Sequence, residues 1–179
     1  MHHTVHSFHY TPYPPTKGVY IQLLFMGRKA MEISMKIAIG SDHGGFELKE
    51  VLKAHLTEKG FDVTDAGCYD TNSVDYPDIA AKTCNLVTSG ECSWGVLVCG
   101  TGIGISMAAN KIDGIRCALV SNEYSAEMTK RHNNANMLAF GGRVTGPDLA
   151  KNILNAYINA EFEGGRHQTR IDKVMALEG

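Results

Sequence analysis

The sequence predicts an α/β fold: a doubly wound, Rossmann-like three-layer sandwich, with a five-stranded and mostly parallel sheet between two layers of helices. Strand-like and helix-like segments alternate along the chain from Met35 onward, as in chains built from β–α–β units. The strand-like segments are short apolar runs, which is typical of buried parallel strands. The helix-like segments carry apolar residues at helical spacing.

The elements follow from these patterns in chain order. The predicted strands are Lys36–Gly40, Phe61–Thr64, Trp94–Cys99, Arg116–Val120 and Met137–Phe140. The predicted helices are Phe46–Lys59, Tyr76–Val87, one directly after Gly104, Asn122–His132, Pro147–Glu161 and an amphipathic helix within Gly164–Gly179. In the first helix Leu48, Leu52 and Leu56 share one face, and Gly60 favours its end. Pro77 suits the first turn of the second helix.

Composition limits the kinds of protein to which this chain can belong. The 179 residues suffice for one α/β domain. A net charge of −2 with 44% apolar residues does not indicate a surface that binds nucleic acid or a membrane. The five cysteines are odd in number and form no CxxC pair, which disfavours a disulfide framework or a zinc site. We therefore expect a small-molecule partner and a reducing, cytoplasmic location.

The first 34 residues differ from the rest of the chain. They hold four of the eight histidines and three of the five prolines, without a regular apolar period. The apolar segment Val19–Met26 is too short to span a membrane. We interpret residues 1–34 as a disordered or loosely packed extension, and residues 35–179 as the folded domain, with Met35 as a natural start.

The segment after the third strand carries the strongest chemical signal. Cys99 ends an apolar run and is followed at once by Gly100, Thr101, Gly102, Ile103 and Gly104. Alternating glycines can aim backbone N–H groups at one point near a helix start, which favours an anion, either a phosphate or an oxyanion formed in a reaction. The spacing matches neither common nucleotide-binding fingerprint, because no lysine follows the glycines. An inert, buried Cys99 is the alternative.

Further polar residues follow other strands. Asp42 and His43 come after the first strand, so they share the carboxyl edge of the sheet with Cys99, unless Asp42 only caps the next helix. Arg143 also follows a strand. His132 ends the fourth helix, where a cation in the last turn is favourable in any protein.

Two arginines lie in the C-terminal segment, after the Gly164-Gly165 pair. Arg166 and Arg170 stand four residues apart, so a helix would place both guanidinium groups on one face. Such a pair suits a phosphate group, although a solvated helix face is the alternative. The tail helix packs either on its own domain or on a partner subunit.

Six segments resemble one known family, the type B ribose 5-phosphate isomerases, which also includes the paired galactose 6-phosphate isomerase subunits. They are GSDHGGFELK (40–49), DYPDIA (75–80), VCGTGIGISMAANK (98–111), IRCALV (115–120), RHNNANMLAFGGRV (131–144) and EGGRHQTR (163–170). The resemblance covers Met35–Leu177 in order and leaves out residues 1–34. It implies interconversion of ribose 5-phosphate and ribulose 5-phosphate without metal or organic cofactor.

The resemblance also implies a role for each candidate residue. Cys99 matches the base that moves a proton between C2 and C1, and a helix N-terminus favours its thiolate. The N–H groups from Gly100 to Gly104 and the Thr101 hydroxyl would hold the enediolate. His132 matches the ring-opening acid. The remaining substrate contacts are Asp42 and Asn133 near that acid, Tyr76, and the phosphate-end residues His43, Arg143, Arg166 and Arg170.

In this family the sites lie between subunits, so the resemblance implies a homodimer or a tetramer in which Arg166 and Arg170 reach the partner's pocket. Allose or galactose 6-phosphate isomerisation remains an alternative, as does a non-catalytic sugar-phosphate binding module. Cys99, His132 and Asp42 together favour an enzyme, because binding alone needs no thiol base or ring-opening acid.

Overall fold

A computed structural model of the chain describes residues 34–178. The strands are β1 (Lys36–Ser41), β2 (Asp62–Asp65), β3 (Trp94–Cys99), β4 (Cys117–Leu119) and β5 (Met137–Gly141). The helices are α1 (Phe46–Glu58), α2 (Tyr76–Thr88), α3 (Ile103–Ala109), α4 (Glu123–Asn133), α5 (Pro147–Asn159) and α6 (Arg166–Met175). The interpretation of the N-terminal extension falls outside the described residues. Within 34–178, no helix is both long and apolar enough to cross a membrane.

The five strands form one sheet in the order β2-β1-β3-β5-β4, and every neighbouring pair is parallel. Strands β3 and β5 are buried along their whole length, and β1 is buried after its first residue. The edge strands β2 and β4 are partly exposed. The chain reverses its direction of travel across the sheet between β1 and β3, and ligands bind outside the carboxyl ends of strands at such a switch point.

Two apolar cores confirm the three-layer arrangement. On one face of the sheet, Leu52 of α1 and Tyr157 of α5 pack against the strands, with Ala126 of α4 in the same core. On the other face, Cys84 of α2 and Ile105 of α3 do so. Burial of each large side chain contributes about 1.5–3 kcal/mol, so both faces stabilise the sheet and fix its carboxyl edge.

The predicted fold class is confirmed, and the sheet is parallel throughout. Two boundaries differ for local reasons. The Phe61 N–H donates to the Leu56 carbonyl and completes the end of α1, so β2 begins one residue later than predicted. Helix α5 ends at Asn159, before the predicted Glu161, because Ala160 has an extended backbone with ψ of 150°.

Candidate active site

The Cys99 side chain lies at the carboxyl end of β3 and is 5% exposed. The Gly102 N–H donates to its Sγ at 3.1 Å. Gly102 has a φ of 79°, and a Cβ there would collide with Leu119 and the Phe140 carbonyl carbon. The turn that presents this N–H therefore requires glycine.

Asp42 lies beside this turn, at the end of β1. Its N–H donates to the Val98 carbonyl at 3.1 Å, and its Oδ1 accepts from the Gly45 N–H at 3.0 Å. Gly45 is the N-cap residue of α1, so Asp42 does orient the start of that helix. Gly44 lies between this carboxylate and the Cys99 turn: a Cβ added to Gly44 would be 3.3 Å from Asp42 Oδ1 and 3.2 Å from the Gly100 nitrogen. The Asp42 carboxylate is therefore at the predicted edge of the sheet.

His43 and Tyr76 border the same edge. The Val74 N–H donates to His43 Nδ1 at 3.3 Å. A neutral ring with Nδ1 as acceptor carries its proton on Nε2, so this contact leaves His43 an N–H to donate to a ligand. The Tyr76 ring covers Gly104, where a Cβ would be 2.8 Å from the ring carbon Cζ.

Arg143 follows β5 and reaches back to the Cys99 turn. Its backbone N–H donates to the Gly100 carbonyl at 3.0 Å, and its side chain lies against Gly100. These residues together form what we call the Cys99 region. Its members are Asp42, His43, Tyr76, Cys99–Gly104 and Arg143.

A buried lysine supports the loop that carries Val74. Lys49 is fully buried, and its Nζ contacts Asp65 and Glu50 carboxylates at 2.8 Å each and the Cys68 carbonyl at 2.7 Å. Burial acts to raise the pKa of Asp65, but hydrogen bonds from Lys49 and Lys53 hold it below its ordinary value. The segment between β2 and α2 is thus tied to α1, and through Val74 it orients His43.

His132 lies in a different place. Its ring stacks on His167 of α6, with ring centroids 4.3 Å apart and planes 3° from parallel. Glu163 joins the pair: its Oε2 lies 3.8 Å from His132 Nε2 and 3.4 Å from His167 Nε2. Its Oε1 binds the Arg131 guanidinium at 2.6 Å. The hydrogen bond from Arg131 lowers the pKa of Glu163, whereas burial and the neighbouring His132 lower that of His167.

The end of α4 is also tied to β4 and α6. Arg116 donates from Nη2 to the Asn134 carbonyl at 2.8 Å and from Nε to the Asn133 carbonyl at 3.2 Å, and its Nη1 contacts Met175 Sδ. A cavity of about 850 Å³ opens here, with His132, Asn133, Arg170 and His167 in its wall. We call this surface the His132 region. Its members are His132, Asn133, Glu163, Arg166, His167 and Arg170.

The two regions lie at opposite edges of the sheet. Helix α4 leaves the carboxyl edge after β4, so its last residues return to the amino edge, where Met137 begins β5 beside Gly95. Four residues further along, Cys99 pairs with Gly141, which at about 3.3 Å per residue is a separation of roughly 13 Å. Among the described residues that line the 850 Å³ cavity, none belongs to the Cys99 region.

The structure therefore brings together some of the predicted site residues and separates others. Asp42 lies with Cys99 within one chain, as the strand pattern predicted, and not beside His132 and Asn133, where the resemblance placed it. Arg143 also lies with Cys99, apart from Arg166 and Arg170 on α6. Sequence reasoning missed Glu163, His167 and Lys49 as contributors. Glu163 precedes α6, so helical spacing did not indicate its contact with His167.

The other cysteines differ from Cys99. Burial raises the pKa of Cys84 to about 12 and also raises that of Cys117 and Cys92. These three remain protonated thiols at neutral pH and are poor nucleophiles. All five cysteines are unpaired.

Comparisons with known proteins agree with this geometry. A family model described as Ribose/Galactose Isomerase matches residues 37–174. "Ribose-5-phosphate isomerase B" of Escherichia coli is 49% identical over 143 residues, 80% of this chain and 96% of the relative. "D-erythrulose-4-phosphate isomerase" of Pectobacterium atrosepticum is 42% identical over 146 residues, 80% and 95% of the two chains.

A solved structure is similarly close. That of ribose-5-phosphate isomerase B from Clostridium thermocellum matches with a TM-score of 0.80 and 51% identity, over 80% of this chain and 97% of that one. The family model, over residues 37–174, spans both the Cys99 region and the His132 region. The chain belongs to the Ribose/Galactose Isomerase family and is a sugar-phosphate isomerase of the ribose-5-phosphate isomerase B type.

Proposed function

We propose that the protein interconverts D-ribose 5-phosphate and D-ribulose 5-phosphate, a step of pentose phosphate metabolism, using only its own side chains and backbone. The observation that carries this proposal is the Cys99 thiol at the sheet's switch point, with the Gly102 N–H directed at its sulfur. The relatives named as ribose-5-phosphate isomerase B support the five-carbon substrate.

The proton transfer is assigned to the Cys99 region. The Cys99 thiolate takes the proton from C2 of the open-chain aldose and returns it to C1, which forms and then consumes an enediolate. The backbone N–H groups of Gly100–Gly104 and the Thr101 hydroxyl stabilise the negative oxygen that develops between these steps. Asp42 and Tyr76 contact the sugar at the same edge.

Ring opening and phosphate binding require the His132 region. His132 transfers a proton at the ring oxygen and anomeric hydroxyl, with Asn133 as a neighbouring sugar contact. Arg166 and Arg170 form charge-assisted hydrogen bonds to the phosphate, together with His43 and Arg143 of the Cys99 region. The two regions open at opposite edges of the sheet, so their side chains do not face one sugar phosphate within a single chain.

A complete site therefore needs two copies of the chain, with the Cys99 region of one facing the His132 region of the other. Apolar side chains exposed around the Cys99 turn support such a homodimer. They are Ile103 (48% exposed), Met107 (64%), Leu119 (45%) and Val144 (71%). Leu119 contacts Gly102 and Val144 contacts Gly141, so a partner that covers them would also close the site around Cys99.

The proposal extends to the boundaries and location of the enzyme. Residues 35–179 form the isomerase domain, so a chain that begins at Met35 retains kcat and KM. Five unpaired cysteines support a reducing compartment such as the cytoplasm. Two such domains as a homodimer, or four as a tetramer, supply two or four equivalent sites.

Two alternative substrates have specific support. The family description includes galactose, which favours a six-carbon sugar 6-phosphate. One relative is named for D-erythrulose 4-phosphate, which favours a four-carbon substrate. Parallel assays of the purified protein on ribose 5-phosphate, allose 6-phosphate, galactose 6-phosphate and D-erythrulose 4-phosphate decide between them. The proposal requires the highest kcat/KM on ribose 5-phosphate, and a non-catalytic binding module would isomerise none.

A further inference from the structure

One cluster in the His132 region has more ligating groups than ring opening uses. His132, Glu163 and His167 each offer one ligand atom, and the three atoms lie within 4.8 Å of one another. Two imidazoles and one carboxylate are a ligand set that binds zinc and similar divalent ions. Proton transfer at the sugar ring accounts for His132 alone.

A buried atom without a partner points to a missing ligand. His167 is 5% exposed, and its Nε2 has no hydrogen-bond partner among residues 34–178. Glu163 Oε2 is 3.4 Å away, but the contact does not satisfy that nitrogen as a hydrogen bond. Because a buried polar atom without a partner is destabilising, an unmatched imidazole nitrogen that faces two other ligand atoms requires an explanation.

The spacing of the three atoms fits a tetrahedral ion. Bonds of about 2.0–2.2 Å place the ligands of such an ion about 3.3–3.6 Å from one another. Glu163 Oε2 lies 3.4 Å from His167 Nε2 and 3.8 Å from His132 Nε2, close to that range. The two rings, now 3° from parallel, must rotate out of their stack to direct both nitrogens at one ion. Arg131 holds Glu163 through the other carboxylate oxygen, as outer-shell partners of metal ligands do.

We propose that His132, Glu163 and His167 bind a divalent transition-metal ion of the zinc type, and that the bound ion inhibits the isomerase. The consequence for activity rests on the proposed function, because coordination would occupy the His132 nitrogen needed for ring opening. The fourth position stays open to water, since the His132 and Glu163 side chains are 37% and 36% exposed. Arg166 and Arg170 nearby oppose a cation, which suits a reversible inhibitor more than a permanent structural ion.

Metal binding is tested first, without reference to activity. The full chain is stripped with a chelator and titrated with Co²⁺, whose visible absorption reports tetrahedral coordination, and with Zn²⁺ by calorimetry. His167→Phe keeps a ring to stack on His132 and removes the ligand, whereas Glu163→Gln keeps an acceptor for Arg131. Each should weaken binding at least about tenfold, because even outer-shell changes weaken metal sites about 10–100-fold. The N-terminal histidines are present in every variant, so their contribution cancels.

Inhibition is tested second, on ribose 5-phosphate. Zn²⁺ should lower the activity of the wild type reversibly, and chelator should restore it, while His167→Phe should resist the same concentration. Equal inhibition of both proteins, or a thiolate-to-cobalt band that is as strong in His167→Phe as in the wild type, would assign the metal to Cys99 and overturn the proposal. Unchanged Co²⁺ affinity in both variants would also overturn it.

The two proposals fail separately. If His132 has no part in ring opening, the affinity difference between wild type and variants persists, but metal does not inhibit. That outcome would contradict the inhibitory role of the metal but would support the metal site itself. If wild type and variants bind the metal equally well and the wild type is a fully active isomerase, the metal-site proposal fails. The proposed isomerase function then stands.

Discussion

The Cys99 region and the His132 region carry parts of one proposed reaction but are held together by different forces. The Cys99 region is made by backbone contacts: Gly102 donates to the thiol, and Arg143 donates to the Gly100 carbonyl. The His132 region is made by side chains from α4, α6 and the segment between α5 and α6, with the stacked histidines and the Arg131–Glu163 ion pair at its centre.

This difference decides which region can be rigid in a single chain. Strand ends and tight turns leave Cys99 few alternative positions, because neighbouring strands are hydrogen-bonded along their length. The Arg131–Glu163 pair is exposed, and exposed ion pairs contribute little to stability because water screens them. We infer that a partner subunit fixes the His132 region, and that the region acts only when docked against a Cys99 region.

The largest expected effect is on the Cys99 side of the comparison. Cys99→Ala removes the carbon base and should lower kcat on ribose 5-phosphate by about 100-fold or more, the usual contribution of a general base. The substitution removes only a sulfur atom, so circular dichroism and the oligomeric state should stay unchanged. Cys92→Ala removes another buried thiol and is the matched control, with activity retained. A Cys99→Ala enzyme with more than about a tenth of wild-type kcat would contradict the assignment.

Mixing experiments test whether the two regions come from different chains. Cys99→Ala is expected to be nearly inactive alone, and His132→Asn is expected to retain about a tenth to a hundredth of wild-type kcat/KM. A mixed dimer would contain one site with both changes and one site with neither, so exchange of subunits should restore about half of wild-type activity per mixed dimer if the sites are independent.

The matched control combines two changes in the same region. Cys99→Ala mixed with Asp42→Ala should show no recovery, because each site of the mixed dimer then has one damaged Cys99 region. Recovery in neither mixture, after subunit exchange is demonstrated by mass, would show that one chain supplies both regions. Recovery in both mixtures would show that Cys99 and Asp42 of one site come from different chains. Arg166→Ala/Arg170→Ala mixed with Cys99→Ala should behave like the His132→Asn mixture.

The sequence predicted that Asp42, Cys99 and Arg143 lie at one edge of the sheet, because each comes at or just after the end of a strand. Parallel strands end at one edge of the sheet, so the backbone topology alone places Asp42, Cys99 and Arg143 there, independently of side-chain packing. The His132 region depends on where α6 lies, and the apolar pattern of that helix does not indicate which elements it packs against. The position of His132 just before β5 did indicate the opposite edge. The stack with His167 depended on side-chain packing that spacing alone does not determine.

A third prediction separates ring opening from proton transfer. His132→Asn should lower kcat/KM on ribose 5-phosphate by about 10–100-fold, within the range of acid–base catalysis. D-Erythrose 4-phosphate has its terminal oxygen blocked by phosphate and cannot close a five-membered ring. If it is a substrate, it should lose much less activity in this variant. Equal losses on both sugars would place His132 in a step other than ring opening.

A smaller effect is expected at the phosphate. Arg170→Ala removes a charge-assisted hydrogen bond worth about 1.5–3 kcal/mol, so KM should rise about tenfold or more while kcat changes less. Lys173→Ala is the matched control, because Lys173 is an exposed cation on the same helix. Steady-state kinetics on ribose 5-phosphate distinguish the two. A similar rise in KM for both variants would indicate a general loss of positive charge and not a specific phosphate contact.

The smallest expected effect is on stability and concerns His167. Burial, and secondly the neighbouring His132, lower its pKa in the folded protein below the ordinary value of 6.5. As pH falls through about 6.5, the unfolded chain takes up a proton that the folded His167 resists, so the free energy of unfolding decreases. His167→Phe lacks this contribution, and its melting temperature should fall less than that of the wild type between pH 7.5 and about 5.5.

Glu163→Gln should act in the opposite direction, because the Glu163 carboxylate favours the protonated form of His167. Without it the pKa of His167 drops further, and the melting temperature should fall more steeply over the same interval. Glu163 itself has a pKa below 4.5 and does not titrate in this range. Thermal melts at a fixed protein concentration keep the dimer contribution constant. Parallel curves for all three proteins would show that the His132 region does not resist protonation, and that its stacked rings behave as solvated surface histidines.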